Sequence, residues 1–263
     1  MLHETVIRPT LVVPADVERD DGRGFLTKLD GLLELSPSET VLDCSRLRDV
    51  NSSQIAVLWD ARAKCEAAGV PVRLTYVGSG LERVLKVLDL YDLFDVDVQV
   101  PQRVIERPEV PAPARVGGDV TVYETTFDAS VAGVNRGLEG FRGFLAGLNL
   151  PEMCAFELGT VFYEVATNVR EHAGLGGTGQ MTFTAALEGG KIKLKFMDLG
   201  RPFDPEREAP SFSAREAIKR RQNRGIGLYL VRRLMDSLAY ERLGDRNVVS
   251  LEKLVRHERE TQQ

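Results

Sequence analysis

Glu164, Asn168 and His172 recur at i, i+4 and i+8. At 100° per residue that series drifts only about 40° per step, so a carboxylate, an amide and an imidazole leave one stripe of a helix. Phe162, Val165, Ala166 and Val169 fall on the other side, where a core would lie. Alone, the stripe is equally what the wet face of a surface helix shows. Further along, Asp198-Leu199-Gly200-Arg201-Pro202-Phe203-Asp204-Pro205 sets an acidic residue at the tip of a strand pattern, with a glycine two positions on. A strand-end carboxylate can accept a hydrogen bond from an exocyclic amine, and a glycine there lets backbone approach a flat ring. The same letters also suit an ordinary turn. In Arg224-Gly225-Ile226-Gly227-Leu228 two glycines open a helical pattern, and bared amides at a helix N-terminus cradle phosphate. Before them, Arg215, Lys219, Arg220, Arg221 and Arg224 face one acid, Glu216, in ten residues. They form either a lid over a polyphosphate or a solvated face.

A different chemistry is written at Asn51-Ser52-Ser53-Gln54, between a strand pattern and a helical one. Serine at a helix N-terminus offers a hydroxyl where a phosphate would be welcomed by amides and dipole. Asn and Ser are also ordinary N-caps.

The elements that must position these groups fall into two sets. Thr10–Val13, Thr40–Cys44 and Val72–Val77 have strand composition, and helical patterns cover 24–35, 53–68 and 81–88. Strands alternating with helices imply a small α/β layer fold. In the second set the periodicity predicts a helix over 156–173 and a hairpin of 181–187 with 191–198, turning at Glu188-Gly189-Gly190. A helix over 227–238 and a closing strand over 248–254 follow. Helices with an antiparallel sheet suggest an α+β sandwich. Between the sets, residues 107–118 hold three prolines among small residues and close on Gly117-Gly118, the composition of a semi-rigid linker.

The 263 residues allow one large domain or two modest ones, and 43% hydrophobic with 28% charged residues is the balance of a soluble globular chain. The net charge of −5 sits in the first half: residues 1–117 carry 14 basic and 19 acidic side chains, residues 118–263 carry 20 of each. That balance argues against direct nucleic-acid binding. No apolar run approaches a bilayer-spanning length and the N-terminus carries no leader pattern, so a cytoplasmic protein without membrane contact is expected. Cys44, Cys65 and Cys154, odd in number and without CxxC spacing, fit reduced, partly buried thiols.

In order and spacing, Glu164-x-x-x-Asn168-x-x-x-His172-Ala173, then Asp198-x-Gly200, then Arg224-Gly225-x-Gly227-Leu228 resembles the GHKL (Bergerat-fold) ATPases, and more narrowly the anti-sigma-factor serine kinases of bacterial partner switching. The resemblance covers about residues 120–255. It implies a two-layer α+β sandwich binding ATP or ADP with Mg²⁺: Asp198 on the adenine amino group, Gly200 beside the ring, Asn168 on the metal, Arg224, Gly225 and Gly227 at the phosphates, and Glu164 as general base for a serine hydroxyl. Where many relatives show Gly-Thr before the last strand, this chain has Arg246-Asn247, and Asn247 is expected to take over that contact. The first half resembles a STAS domain, the fold of anti-anti-sigma factors, through Val41–Cys44, Ser52-Ser53, Ala67-Ala68-Gly69-Val70 and Tyr91-Asp92-Leu93-Phe94. Ser52 matches the phosphoacceptor of such antagonists, with Asn51 in place of Asp and Gln54 in place of Gly.

The expected organisation is therefore a STAS-like domain over 1–106, a linker over 107–118 and an ATPase domain over 119–263. The expected activity is phosphorylation of a STAS serine, Ser52 or one on a separate anti-anti-sigma protein. A sigma factor or other regulatory target, and a second copy of the chain, are further expected partners. The alternative is a non-catalytic interaction module whose STAS half permanently occupies the other half. A histidine-kinase output is disfavoured, since His3, His172 and His257 are the only histidines and none sits on a separate dimerisation helix.

Overall fold

The computed structural model describes residues 8–15, 17, 22–47, 50–98, 120–174, 179–202 and 225–256. The linker expected at 107–118 and the basic run 215–224, Arg224 included, lie outside them. Two sheets organise the described chain, each in a unit of its own.

The first sheet is parallel, in the order β1 (Thr10–Val12), β2 (Thr40–Asp43), β3 (Val72–Thr75), β4 (Asp95–Val96). Helices α1 (Arg23–Leu33), α2 (Ser52–Ala67) and α3 (Ser79–Val87) connect the strands. Parallel strands require such crossovers, which cover the sheet and let its residues be apolar. The core they close over is aliphatic: Leu29, Leu42, Leu58, Leu74 and Leu85 are wholly buried. All three cysteines are buried free thiols. The predicted strands and helices of this half lie within a residue or two of the observed ones; the short β4 was not foreseen.

The second sheet is antiparallel, in the order β5 (Thr121–Asp128), β6 (Gln180–Glu188), β7 (Lys191–Asp198), β9 (Arg246–Leu254), β8 (Ser237–Leu243). Helices α4 (Val131–Ala146) and α5 (Glu152–His172) pack on it and on one another, and α6 (Ile226–Leu234) leads into β8. This is the expected two-layer α+β sandwich. β6 and β7 pair from Met181↔Asp198 to Glu188↔Lys191, turning at Gly189-Gly190 as the sequence indicated. Between the layers Phe162 meets Phe183 edge-on at 4.7 Å, Phe141 meets Phe183 at 4.8 Å, and Phe183 lies 4.7 Å from Phe196. Aromatic pairs at such separations add about 0.5–1.5 kcal/mol each to the burial they share.

Three features correct the sequence reading. The helix carrying Glu164 begins at Glu152, not near 156. The helix predicted over 227–238 ends at Leu234, and the chain from Ser237 is strand β8. The unforeseen β5 and α4 supply an edge strand and a full helix.

Candidate functional site

α5 begins without a side-chain cap after Pro151 and runs 21 residues, its apolar stripe of Leu158, Val161, Phe162, Val165 and Val169 set into the sheet. Glu164 and Asn168 stand one turn apart on this helix. Glu164 is only 3% exposed, and a buried carboxylate is placed there at a cost that a solvated surface stripe does not incur. The Asn168 Nδ2 is buried with no hydrogen-bond partner among the described residues. Leaving an amide donor unmatched costs roughly 1–3 kcal/mol, so it is a group that a ligand would satisfy. In this orientation it offers a donor to a phosphate oxygen; rotated by 180° the amide presents Oδ1, the hard oxygen a Mg²⁺ ion takes. The donor set thus fits an Mg-nucleotide. His172 is exposed in the last turn.

At the end of β7 a second cluster forms. Asp198, 5% exposed, pairs in register with Asn247 of β9, which pairs in turn with Arg242 of β8, so the three lie in one row across three strands. The Asp198 Oδ1 accepts from the Gly200 amide at 2.7 Å and from the Asn247 Nδ2 at 2.8 Å. Its Oδ2 has no hydrogen-bond partner among the described residues. Asn247 Nδ2 also donates to the Arg201 carbonyl at 2.9 Å, while its Oδ1 accepts from the Tyr240 hydroxyl at 2.8 Å and from Arg242 at 2.7 Å. Arg242 reaches the Gly200 carbonyl at 2.8 Å as well. The Asn247 amide thus makes its hydrogen bonds within this turn.

Gly200 is held against the end of α5. A Cβ there would meet the Ala173 Cβ at 2.3 Å and the Ala173 carbonyl at 2.5 Å, closer than real side chains approach. The Arg201 amide donates to that carbonyl at 2.7 Å. The two halves of the cluster, α5 and the β7 turn, are thus stitched at one point, with Asp198 just beyond it. Gly225 has φ +94°, a conformation that favours glycine, and Gly227 is the buried second residue of α6.

Further along α5 and β9 the Lys253 ammonium lies 2.8 Å from the buried Glu157 carboxylate and donates to the Leu234 carbonyl at 2.6 Å. One ion pair so ties α5, β9 and the end of α6. Neither it nor the braces Tyr240 and Arg242 were found in the sequence. Alternation through Leu238, Tyr240 and Arg242 was the available signal; the helical reading takes in only its first residue, and 239–247 carries no assignment from the sequence.

In the first unit, Ser52 is the first residue of α2 and Asn51 its cap. The Asn51 side chain accepts from the Gln54 amide at 2.9 Å, and the Gln54 side chain accepts from the Asn51 amide at 3.0 Å, a reciprocal capping box. Gln54 Nε2 donates to the Ala15 carbonyl at 2.6 Å. Ser52 is half-buried, and Ser53 beside it is exposed.

A family model for the histidine kinase-like ATPase domain matches residues 127–253, and one described as Mlab, STAS domain matches residues 1–95. No curated protein matches the chain. Similar solved structures include the RsbU and RsbW domains of a Mycobacterium tuberculosis protein, at 15% identity and TM-score 0.37, over 51% of this chain and 32% of that one. The SiaB–SiaC complex from Pseudomonas aeruginosa matches at 17% identity and TM-score 0.38, over 51% and 89%. The Acinetobacter baumannii histidine kinase AdeS matches at 14% identity and TM-score 0.31, over 91% and 98%. This chain thus spans about a third of the first of these proteins.

Proposed function

The chain joins a STAS domain to a histidine kinase-like ATPase domain, and from that premise we propose that it is a partner-switching regulator whose second half binds Mg-ATP and phosphorylates a STAS-domain serine. The observation that carries this is the buried Glu164, one turn from the unmatched donor of Asn168 and on the helix whose end abuts the Asp198 turn.

Each residue has a task in that reading. Asp198 Oδ2 accepts from the adenine amino group, while Gly200 brings backbone beside the ring. Asn168 serves the phosphates and their metal; the amides after Gly225 and Gly227 serve the phosphates, a role the reading also gives to Arg224. Glu164 takes the proton of the acceptor hydroxyl as its oxygen bonds to the γ-phosphorus and ADP leaves. Mg²⁺, when bound, neutralises phosphate charge, and the protein's contribution is positioning. The domain limits 1–106 and 119–263, a cytoplasmic setting, and a sigma factor, other regulatory target or second copy as partner belong to the same proposal.

The reciprocal cap around Ser52 favours a second reading of the first half: a STAS domain kept as a docking surface, with the accepting serine on a separate STAS protein. Incubation of the full chain with γ-labelled ATP, with and without Ser52→Ala and with an added STAS protein, tests both. Label on the chain that Ser52→Ala abolishes supports the cis acceptor; label only on the added protein supports docking; none on either overturns the kinase.

A further inference from the structure

We infer that Asn247, braced by Tyr240 and Arg242, is the positioning residue that makes the base site selective. This rests on the reading of Asp198 as the adenine acceptor and goes beyond it. A carboxylate has two oxygens and about four acceptor directions, so an unrestrained aspartate can rotate to suit several donors. Here Oδ1 is consumed by the Gly200 and Asn247 donors, which fixes the plane of the group and leaves Oδ2 alone to face a ligand. Asn247 can hold that geometry because its own orientation is fixed. Two donors from β8, Tyr240 and Arg242, converge on its Oδ1, so that oxygen cannot exchange places with the nitrogen. The Arg201 carbonyl takes the other Nδ2 hydrogen, and Arg242 closes the loop through the Gly200 carbonyl. Asn247 is 2% exposed, so none of these bonds competes freely with water. The outcome is one fixed acceptor, which matches a purine bearing a 6-amino donor and mismatches one that lacks it.

The test is the ratio of affinities of the full chain for ATP and for purine riboside triphosphate, which lacks the 6-amino group, measured by calorimetry with Mg²⁺. Wild type should prefer ATP by roughly ten- to a hundredfold, the scale of one hydrogen bond to a charged group. In Asn247→Ala the ratio should fall to within about threefold of unity, while affinity for the analogue changes less than about threefold. Tyr240→Phe removes one brace and should lower the ratio by about threefold, which keeps the inference testable if the alanine variant does not fold. Equal losses for both nucleotides, with the ratio preserved, would mean that Asn247 only supports the fold and would overturn the inference; so would an unchanged ratio in Tyr240→Phe. Asp198→Asn separates the layers. If it abolishes the preference while Asn247→Ala keeps it, only the inference fails. If it too keeps the preference, or wild type binds neither nucleotide, the underlying base assignment fails first.

Discussion

At the residue scale the proposed function divides the site into groups that hold and one group, Glu164, assigned to move a proton, and the two kinds should separate in measurement. Glu164→Gln keeps volume and hydrogen-bonding capacity but not basicity. Nucleotide affinity should stay within a few-fold of wild type while phosphotransfer drops by about 100-fold or more, the usual scale for a lost general base. Asn168→Ala should weaken Mg-ATP binding itself; lost binding in the first with normal transfer in the second would reverse the roles. Asn51→Ala should cost about 1 kcal/mol by denaturant midpoint, because it removes one arm of the capping box on α2. Cys44 yields a pH prediction. Burial, with the Asp43 carboxylate adding to it, pushes its thiol up to about 12 from an ordinary value of 9.0. The fold favours the neutral thiol, so its contribution is complete below pH 9 and is lost as pH rises toward 12. At pH 8 a thiol reagent should label Cys44 only as fast as the fold opens, and rapid labelling of the native chain would contradict its burial.

At the element scale, how much the sequence disclosed depends on where local preference and tertiary structure agree. The pattern of α5 was readable because its apolar residues keep helical spacing, and the β6–β7 turn because Gly189-Gly190 is a local signal. The end of α6 was not, since Leu234 and Leu238 keep helical spacing with no breaker between them. β9 ends the helix instead: the Asp236 amide donates to the Glu252 carbonyl at 2.9 Å, and the Asp236 carboxylate accepts from the Leu254 amide at 2.6 Å. α4 was hidden by its glycines, which lower helix propensity. At two of them β5 leaves no room for a side chain: a Cβ on Gly137 would meet the Phe127 ring at 2.8 Å, and one on Gly140 the Tyr123 hydroxyl at 2.3 Å. The Glu157–Lys253 pair shows the same limit, since partners 96 positions apart are joined only by the fold. Lys253→Met should take the ion-pair partner from a buried carboxylate and cost about 3–5 kcal/mol, whereas Glu157→Leu with Lys253→Met should recover most of that loss. Thermal melts of both decide it, and equal destabilisation by the single and double changes would rule out the ion pair as the cause.

At the scale of the whole molecule, the proposed kinase and its docking domain share one chain. In the proposed organisation about a dozen residues rich in proline join the two, and a stretch of that composition extends roughly 35–40 Å at most, at about 3.1 Å per residue. Tethering of that kind would set a millimolar-scale effective concentration, so under the proposed function even a weak STAS surface would compete for the kinase half. Deleting residues 1–117 should therefore raise binding or phosphorylation of an external STAS protein, read by pull-down or labelling. Equal affinity for the full chain and for residues 118–263 would end the autoinhibition idea. Finally, the row Asp198, Asn247, Arg242 spans three strands, β8 and β9 being a hairpin and β7 reaching it from 49 positions earlier at Asp198. Side chains alternate faces along a strand, so a one-residue slip of β9 would turn Asn247 and Lys253 outward together and set Arg246 or Val248 opposite Asp198. A chain misthreaded in that way could keep every strand and its circular dichroism yet lose base recognition. Nucleotide selectivity would then serve as a gauge of strand alignment during refolding, reporting on correct threading where spectroscopic content does not.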